Sequence, residues 1–221
     1  MATRIRNVLS PEQVSLIRSI TATGSYGPGS VTAVGTAVAI KHNLQLATGS
    51  DAATRAAEVL VAALRENGAF YAATWLDAMT APLFCRYEPG MTYGNHVDAA
   101  MMGGPPMQMR CDLAVTVWLS DVASYDGGEL IMDSDGVGQP WKENAGDCVV
   151  YPADTLHRVA PVTRGAREVA VFWIQTLVRE DWQRRILFDL THVLQRLESA
   201  GPGPDEEQVR RVYYNLVRHW T

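Results

Sequence analysis

Leu83-Phe84-Cys85-Arg86-Tyr87, then Glu88-Pro89-Gly90, then Tyr93-Gly94-Asn95-His96-Val97-Asp98 is the stretch that decides the fold class. An apolar and aromatic run too short for a helix stops at a Pro-Gly turn and gives way to a second short run, which predicts strand, turn, strand. The same texture continues through residues 96–99, 112–120, 128–132, 148–151, 157–161 and 166–177, punctuated by Asp126-Gly127-Gly128 and Arg164-Gly165. Together with 83–87, these runs predict a double-stranded β-helix, or jelly roll, over residues 81–178, in which two stacked sheets leave few open edges.

The flanks are helical, making the chain α+β. In Ser10-Pro11-Glu12-Gln13 a hydroxyl caps free amides, proline occupies the first helical position and Gln13 closes a capping box, so a helix should run to about Thr23. Residues 24–35, rich in Gly, Ser and Thr, read as a loop; 36–40 read as a strand, and 41–46 as its continuation or exit. Val59, Leu60, Ala63 and Leu64 give residues 51–65 an amphipathic helix, ended by Asn67-Gly68. Residues 1–80 thus form an N-terminal support region. After Arg179, Trp182, Ile186, Leu190, Val193, Leu194 and Leu197 recur at helical steps; Gly201-Pro202-Gly203-Pro204 breaks the chain. Asp205 is expected to cap a last helix striped by Val209, Val212, Tyr213, Leu216, Val217 and Trp220. This extension, 179–221, must bury its stripes on the β core or on a second copy, and a homodimer through these helices is the expected assembly.

Composition narrows the function. With 47% hydrophobic and 19% charged residues the chain is an ordinary globule, and a net charge of -5 without a basic cluster excludes a general nucleic-acid binder. No apolar stretch is long enough to span a bilayer, and Met1–Leu9 carries no signal-like apolar run. Cys85, Cys111 and Cys148 form no CxxC pair and lie in strand-like surroundings, which predicts buried thiols of a reduced, cytoplasmic protein.

His96 and Asp98, two apart in a predicted strand, share a face and can bind one ion together. Two neutral imidazoles and one carboxylate on one face of an octahedron leave positions open for cosubstrate and dioxygen, the arrangement of non-haem Fe(II) oxygenases. Of the five histidines, His192 and His219 fall on the terminal helices and His42 is a weaker competitor, so His157 is the natural third ligand. An HxD pair alone matches by chance; the ordered set of HxD, His157 and Arg167 carries the reading. The far carboxylate of 2-oxoglutarate needs a cation, which a guanidinium meets bidentately. Arg158 and Arg164 compete, but Arg167 leads Val169, Val171 and Trp173 in alternation and should share their face. Either hydroxyl of Tyr87 and Tyr93 can bond that cosubstrate or serve as an ordinary half-buried tyrosine. Asn43 and Gln45 can line a substrate mouth or serve turn and edge roles. The Met-rich loop 99–107 is expected to act as a substrate lid. A sensor that binds metal or 2-oxoglutarate without turnover is the rival reading, and a zinc hydrolase leaves Arg167 without a purpose.

At this point the chain resembles the PKHD-type hydroxylases, bacterial relatives of prolyl 4-hydroxylase among the Fe(II)/2-oxoglutarate dioxygenases. The carrying strings are Lys41-His42-Asn43-Leu44-Gln45-Leu46, Arg86-Tyr87-Glu88-Pro89-Gly90-Met91-Thr92-Tyr93-Gly94-Asn95-His96-Val97-Asp98, Asp126-Gly127-Gly128-Glu129-Leu130, Tyr151-Pro152 with Leu156-His157-Arg158-Val159, and Thr163-Arg164-Gly165-Ala166-Arg167. The resemblance implies Fe(II) on His96, Asp98 and His157, 2-oxoglutarate on Arg167, and L-ascorbate as a reductant. It further implies use of dioxygen to hydroxylate a small-molecule or peptide substrate with release of succinate and CO2, and a link to iron uptake. His42 stands where the pattern has a second asparagine, a departure that touches the pocket wall and not the ligands.

Overall fold

The computed structural model describes residues 2–104, 108–134 and 136–221. The N-terminal part comprises β1 (Thr3–Ile5), α1 (Pro11–Thr21), β2 (Tyr26–Pro28), β3 (Lys41–His42), β4 (Leu44–Leu46), α2 (Asp51–Glu66), α3 (Gly68–Thr74) and β5 (Leu76–Met79). Next come β6 (Leu83–Tyr87), β7 (Thr92–His96), β8 (Met101–Met102), β9 (Met109–Arg110), β10 (Leu113–Trp118), β11 (Asp126–Gly127), β12 (Leu130–Ser134) and β13 (Val137–Trp141). The chain finishes with β14 (Cys148–Pro152), β15 (His157–Val159), β16 (Val162–Arg164), β17 (Arg167–Thr176), α4 (Asp181–Ala200) and α5 (Pro204–Trp220).

The strands pair antiparallel. A large sheet runs β1-β14-β10-β17-β6-β4-β2, with β5 also on β17, and a smaller one runs β13-β12-β15-β7-β3. Both faces of the large sheet are covered, which is why β10 reads as the near-continuous apolar run LAVTVW, interrupted by the buried Thr116. Val115, Val117, Phe172 and Ile174 pack with Ile17, Leu60 and Phe70 of the helices. On the other face Trp118, Val149, Tyr151 and Val169 meet Leu130, Met132 and Val159 of the smaller sheet. Each such large apolar side chain, fully buried, contributes about 1.5–3 kcal/mol.

The capping box at Ser10 and Gln13 forms as expected. Several expectations need correction. Residues 36–40 are not a strand: Gly35–Ala39 is a 3-10 turn with Val34 and Val38 facing solvent, and the segment meets β7 at its end, where the Ile40 carbonyl accepts from the Gly94 amide at 2.9 Å. The segment 41–46 splits between the sheets, β3 pairing with β7 and β4 with β6, so that Asn43 marks the crossing. Asn67 does end α2, but its side chain accepts from the Phe70 amide and starts α3, which the sequence reading missed. Also missed were β1, β2, β5, β13 and the β8–β9 pair, all too short or too polar to show a period. Gly203 and Pro204 start α5, leaving Asp205 in its first turn instead of capping it. Of the expected α4 stripe, Trp182 and Ile186 are exposed and Leu194 is buried; Leu187, which the expected stripe did not include, is buried as well. The terminal helices lean on each other and on Trp75 and Val178 through Leu187, Tyr213, Leu216, Val217 and Trp220. The three cysteines are free and buried, as expected.

Candidate metal centre and its cavity

β7 ends at His96, so the expected strand over 96–99 is not there; Asp98 lies just past the strand end and still turns to the same side as the histidine. β15 lies beside β7 with His157 directly opposite His96. His96 Nε2 is 3.9 Å from Asp98 Oδ1, and His157 Nε2 is 4.0 Å from Asp98 Oδ2. One ligand atom from each of the three residues lies within 4.8 Å of the others.

The backbone sets the imidazole tautomers. His96 Nδ1 is 2.8 Å from the Gly94 carbonyl and His157 Nδ1 is 2.9 Å from the Thr155 carbonyl. A carbonyl only accepts, so each Nδ1 carries the proton and each Nε2 presents a lone pair to the gap. Tyr93 stacks on His96 with centroids 3.6 Å apart and holds that ring's plane. Burial first, then His157, pushes His96 down to about 4, so the ring is neutral at physiological pH. Burial pushes the Asp98 carboxyl up, with His157, Trp173 and Lys41 opposing, and its Oδ2 is buried without a hydrogen-bond partner. Two directed lone pairs and an orphaned carboxylate oxygen are a donor set that a divalent cation satisfies.

Behind this triad a cavity of about 450 Å³ opens between the sheets. Arg167, the first residue of β17, lines it together with Val171 and Trp173, so the alternation argument placed it on the correct face. It is 1% exposed, its Nε has no hydrogen-bond partner, and no ion pair joins it to a carboxylate among the described residues. Its guanidinium carbon sits 5.0 Å from the Tyr87 ring and 5.8 Å from the Trp118 ring. A buried guanidinium without an anion is costly to keep, and its surroundings fit a carboxylate ligand. Tyr87 lies opposite Arg167 in the β6–β17 register; burial raises its pKa, so it stays a hydroxyl. Burial likewise pushes Tyr93 up to about 12.

The chain is 43% identical over 225 residues to a PKHD-type hydroxylase of Burkholderia ambifaria, a match covering 100% of this chain and 99% of that protein. It belongs to the PKHD-type hydroxylase family. Residues 82–175 match the 2OG-Fe(II) oxygenase superfamily and residues 181–221 the PKHD-type hydroxylase C-terminal domain. The hydroxylase shares its fold with a Pseudomonas putida prolyl-4-hydroxylase (TM-score 0.53, 22% identity, covering 79% of this chain and 92% of that one). A Trichoplax adhaerens prolyl hydroxylase in complex with a hypoxia-inducible-factor peptide fragment is similar too (TM-score 0.53, 14% identity, 84% and 86% covered). This hydroxylase is therefore a 2-oxoglutarate-dependent enzyme, and its family implies Fe(II) and 2-oxoglutarate.

The structure brings His96, Asp98, His157, Arg167, Tyr87 and Tyr93 to the one cavity. Asn43 and Gln45 are buried but are not among its lining residues: Gln45 bonds Thr32 and Thr48, and Asn43 packs under Gly29. His42 is exposed and likewise lies off the cavity wall. Of the expected lid, Met101, Met102 and Gly103 line the cavity, and residues 105–107 lie outside the described residues. Sequence reasoning missed Tyr151, whose hydroxyl is 3.3 Å from His157 Nε2, and Lys41, which reaches the cavity from β3. Tyr151 stood in a predicted strand, and its contact with the histidine joins β14 of the large sheet to β15 of the smaller one, a meeting no local pattern announces.

Proposed function

We propose that the hydroxylase holds Fe(II) on His96 Nε2, Asp98 and His157 Nε2 and 2-oxoglutarate on Arg167, on a double-stranded β-helix core. It hydroxylates a small-molecule or peptide substrate with release of succinate and CO2. The observation that carries this reading is the meeting, in one cavity, of two tautomer-locked imidazoles, an orphaned carboxylate oxygen and an unpaired buried guanidinium. When bound, iron with 2-oxoglutarate supplies dioxygen activation and oxidation of an unactivated carbon.

The chain's own residues do the positioning. The Gly94 and Thr155 carbonyls aim the two imidazoles, and the Tyr93 ring keeps His96 in plane. Arg167 neutralises the far carboxylate, and the Tyr87 hydroxyl adds a donor beside it. Leu130, Val159 and Val171 keep that end of the cavity dry. In the same reading the core spans residues 81–178, between the support region and the helical extension. L-ascorbate acts as reductant, the setting is cytoplasmic, and the exposed faces of Trp182 and Ile186 pair two copies.

The test is anaerobic addition of Fe(II) and 2-oxoglutarate, watching the visible metal-to-ligand charge-transfer band, then admission of oxygen and assay of succinate. A band that bleaches with succinate release, lost in His157→Ala and Arg167→Ala, supports the reading. Absence of the band in the wild-type protein overturns the iron and cosubstrate assignment.

A further inference from the structure

Lys41 is a second cation in the cavity, and the proposed cosubstrate leaves it without a counter-charge. The residue is only 9% exposed, and β3 delivers it into the wall that also holds the metal triad. Its ammonium donates to Thr32 Oγ1 at 2.9 Å and stands 5.5 Å from the centroid of the Tyr93 ring. Among the described residues it has no ion pair, so two of its three donor hydrogens have no protein acceptor.

The ammonium is held in place by neutral groups. The Thr32 hydroxyl donates to Gln45 Oε1 at 2.8 Å, and Gln45 Nε2 donates to Thr48 Oγ1 at 3.3 Å. This relay, buried at Gln45 and exposed at its two threonines, fixes direction without supplying negative charge, which explains why Gln45 is buried away from the cavity yet belongs to its design. Charge balance points the same way. Summed over the cavity, the divalent ion and Arg167 carry as much positive charge as Asp98 and the two carboxylates of 2-oxoglutarate carry negative, so Lys41 is the surplus. Burial lowers the Lys41 pKa, with Cys85 and Asp98 opposing, so an anion arriving at the ammonium relieves a real cost. On the same cavity, Val34 (81% exposed), Val97 (51%) and Met101 (45%) form an apolar rim.

We propose that Lys41 is the substrate anchor, and that the substrate class is a carboxylic acid with an apolar body: the carboxylate meets Lys41 and the body lies against Val34, Val97 and Met101. This rests on the assignment of 2-oxoglutarate to Arg167. The carboxylate can belong to a free acid or to an acidic peptide side chain.

The test uses the full chain loaded with Ni(II), which does not turn over, and saturating 2-oxoglutarate, with tryptophan fluorescence reporting through Trp173 in the cavity wall. Hexanoate is titrated against hexanamide, and acetyl-Ala-Glu-Ala-amide against its Gln counterpart. At least one acid is expected to bind about tenfold or more tightly than its neutral twin, the loss of one charge-assisted hydrogen bond. Which pair shows the preference identifies the source of the carboxylate. Lys41→Met should erase the preference and leave 2-oxoglutarate affinity intact, while Lys41→Arg should retain it; Lys41→Gln serves if the Met variant does not fold. No saturable response to either acid, a preference that survives in Lys41→Met, or loss of 2-oxoglutarate affinity in Lys41→Met overturns the anchor role. Failure of the wild-type protein to bind 2-oxoglutarate is a separate outcome; it refutes the cosubstrate assignment itself and removes the anchor with it.

Discussion

Arg167→Met tests the reading of the cavity through two effects of opposite sign. The substitution keeps an unbranched side chain of similar length and removes a cation that is 1% exposed and has no carboxylate partner among the described residues. In the ligand-free protein that cation bears a desolvation cost of several kcal/mol, of which contacts with Tyr87 and Trp118 return about 0.5–2 kcal/mol. Relief of about 1–4 kcal/mol is therefore expected, a rise in Tm of about 2–4 °C for each kcal/mol in a chain of this size. With 2-oxoglutarate the sign reverses, because losing one partner of a buried charge pair costs about 2–5 kcal/mol. Affinity should fall between about thirtyfold and a few thousandfold. The assay is differential scanning fluorimetry of both proteins across a 2-oxoglutarate series, in the presence of Ni(II). A variant that melts lower than wild type without ligand yet keeps the wild-type shift with 2-oxoglutarate would refute the assignment of Arg167 as an anion receptor.

Other expectations concern the scaffold. Ser10→Ala removes the acceptor for the Gln13 amide and opens the capping box, which should cost about 1 kcal/mol and lower Tm by about 2–4 °C without changing succinate output. Gly165 sits at φ +72 where an added Cβ would stand 2.1 Å from the Ser124 carbonyl oxygen. Gly165→Ala should thus destabilise by about 1–3 kcal/mol from strain alone, measured by urea unfolding, and a neutral result would mean that the turn before β17 is free to shift. Burial pushes Cys111 up to about 11 and raises the Cys85 and Cys148 thiols as well, so at pH 8 iodoacetamide should label the native protein slowly and the urea-unfolded protein quickly at all three sites. Rapid labelling of native Cys148, which has 0% exposure, would contradict the packing of β14.

The amino-acid sequence by itself determined the features that depend on near neighbours. Ser10 and Gln13 lie within one helical turn, so their capping box is a local property. The alternation of Arg167 with Val169, Val171 and Trp173 is likewise local, because successive residues of a strand point to opposite faces. Six of the seven expected strand runs became β6, β10, β12, β14, β15 and β17 with small shifts at their ends; the run over 96–99 did not, since β7 stops at His96. The HxD spacing nonetheless picked out two residues whose ligand atoms meet in space, though the reason offered for it, a shared strand face, holds for His96 alone.

What only the tertiary structure decided is which segments meet. His157 faces His96 because β15 pairs with β7, a register between residues 61 positions apart in the chain that no local period announces. Residues 41–46 read as the continuation or exit of the strand before them, and two different sheets claim the halves of that segment. That crossing at Asn43 puts Lys41 in the cavity and Gln45 behind it, so the amide expected at a substrate mouth became part of the relay holding the lysine. The 36–40 segment read as a strand, but its backbone coils into a 3-10 turn and reaches β7 where the Ile40 carbonyl accepts from the Gly94 amide. The tautomers of both imidazoles were equally out of reach of the sequence, since they follow from carbonyls whose direction is set by the folded backbone. Hydrogen-bond partners and charge balance belong to the assembled fold, whereas caps and alternation belong to the chain.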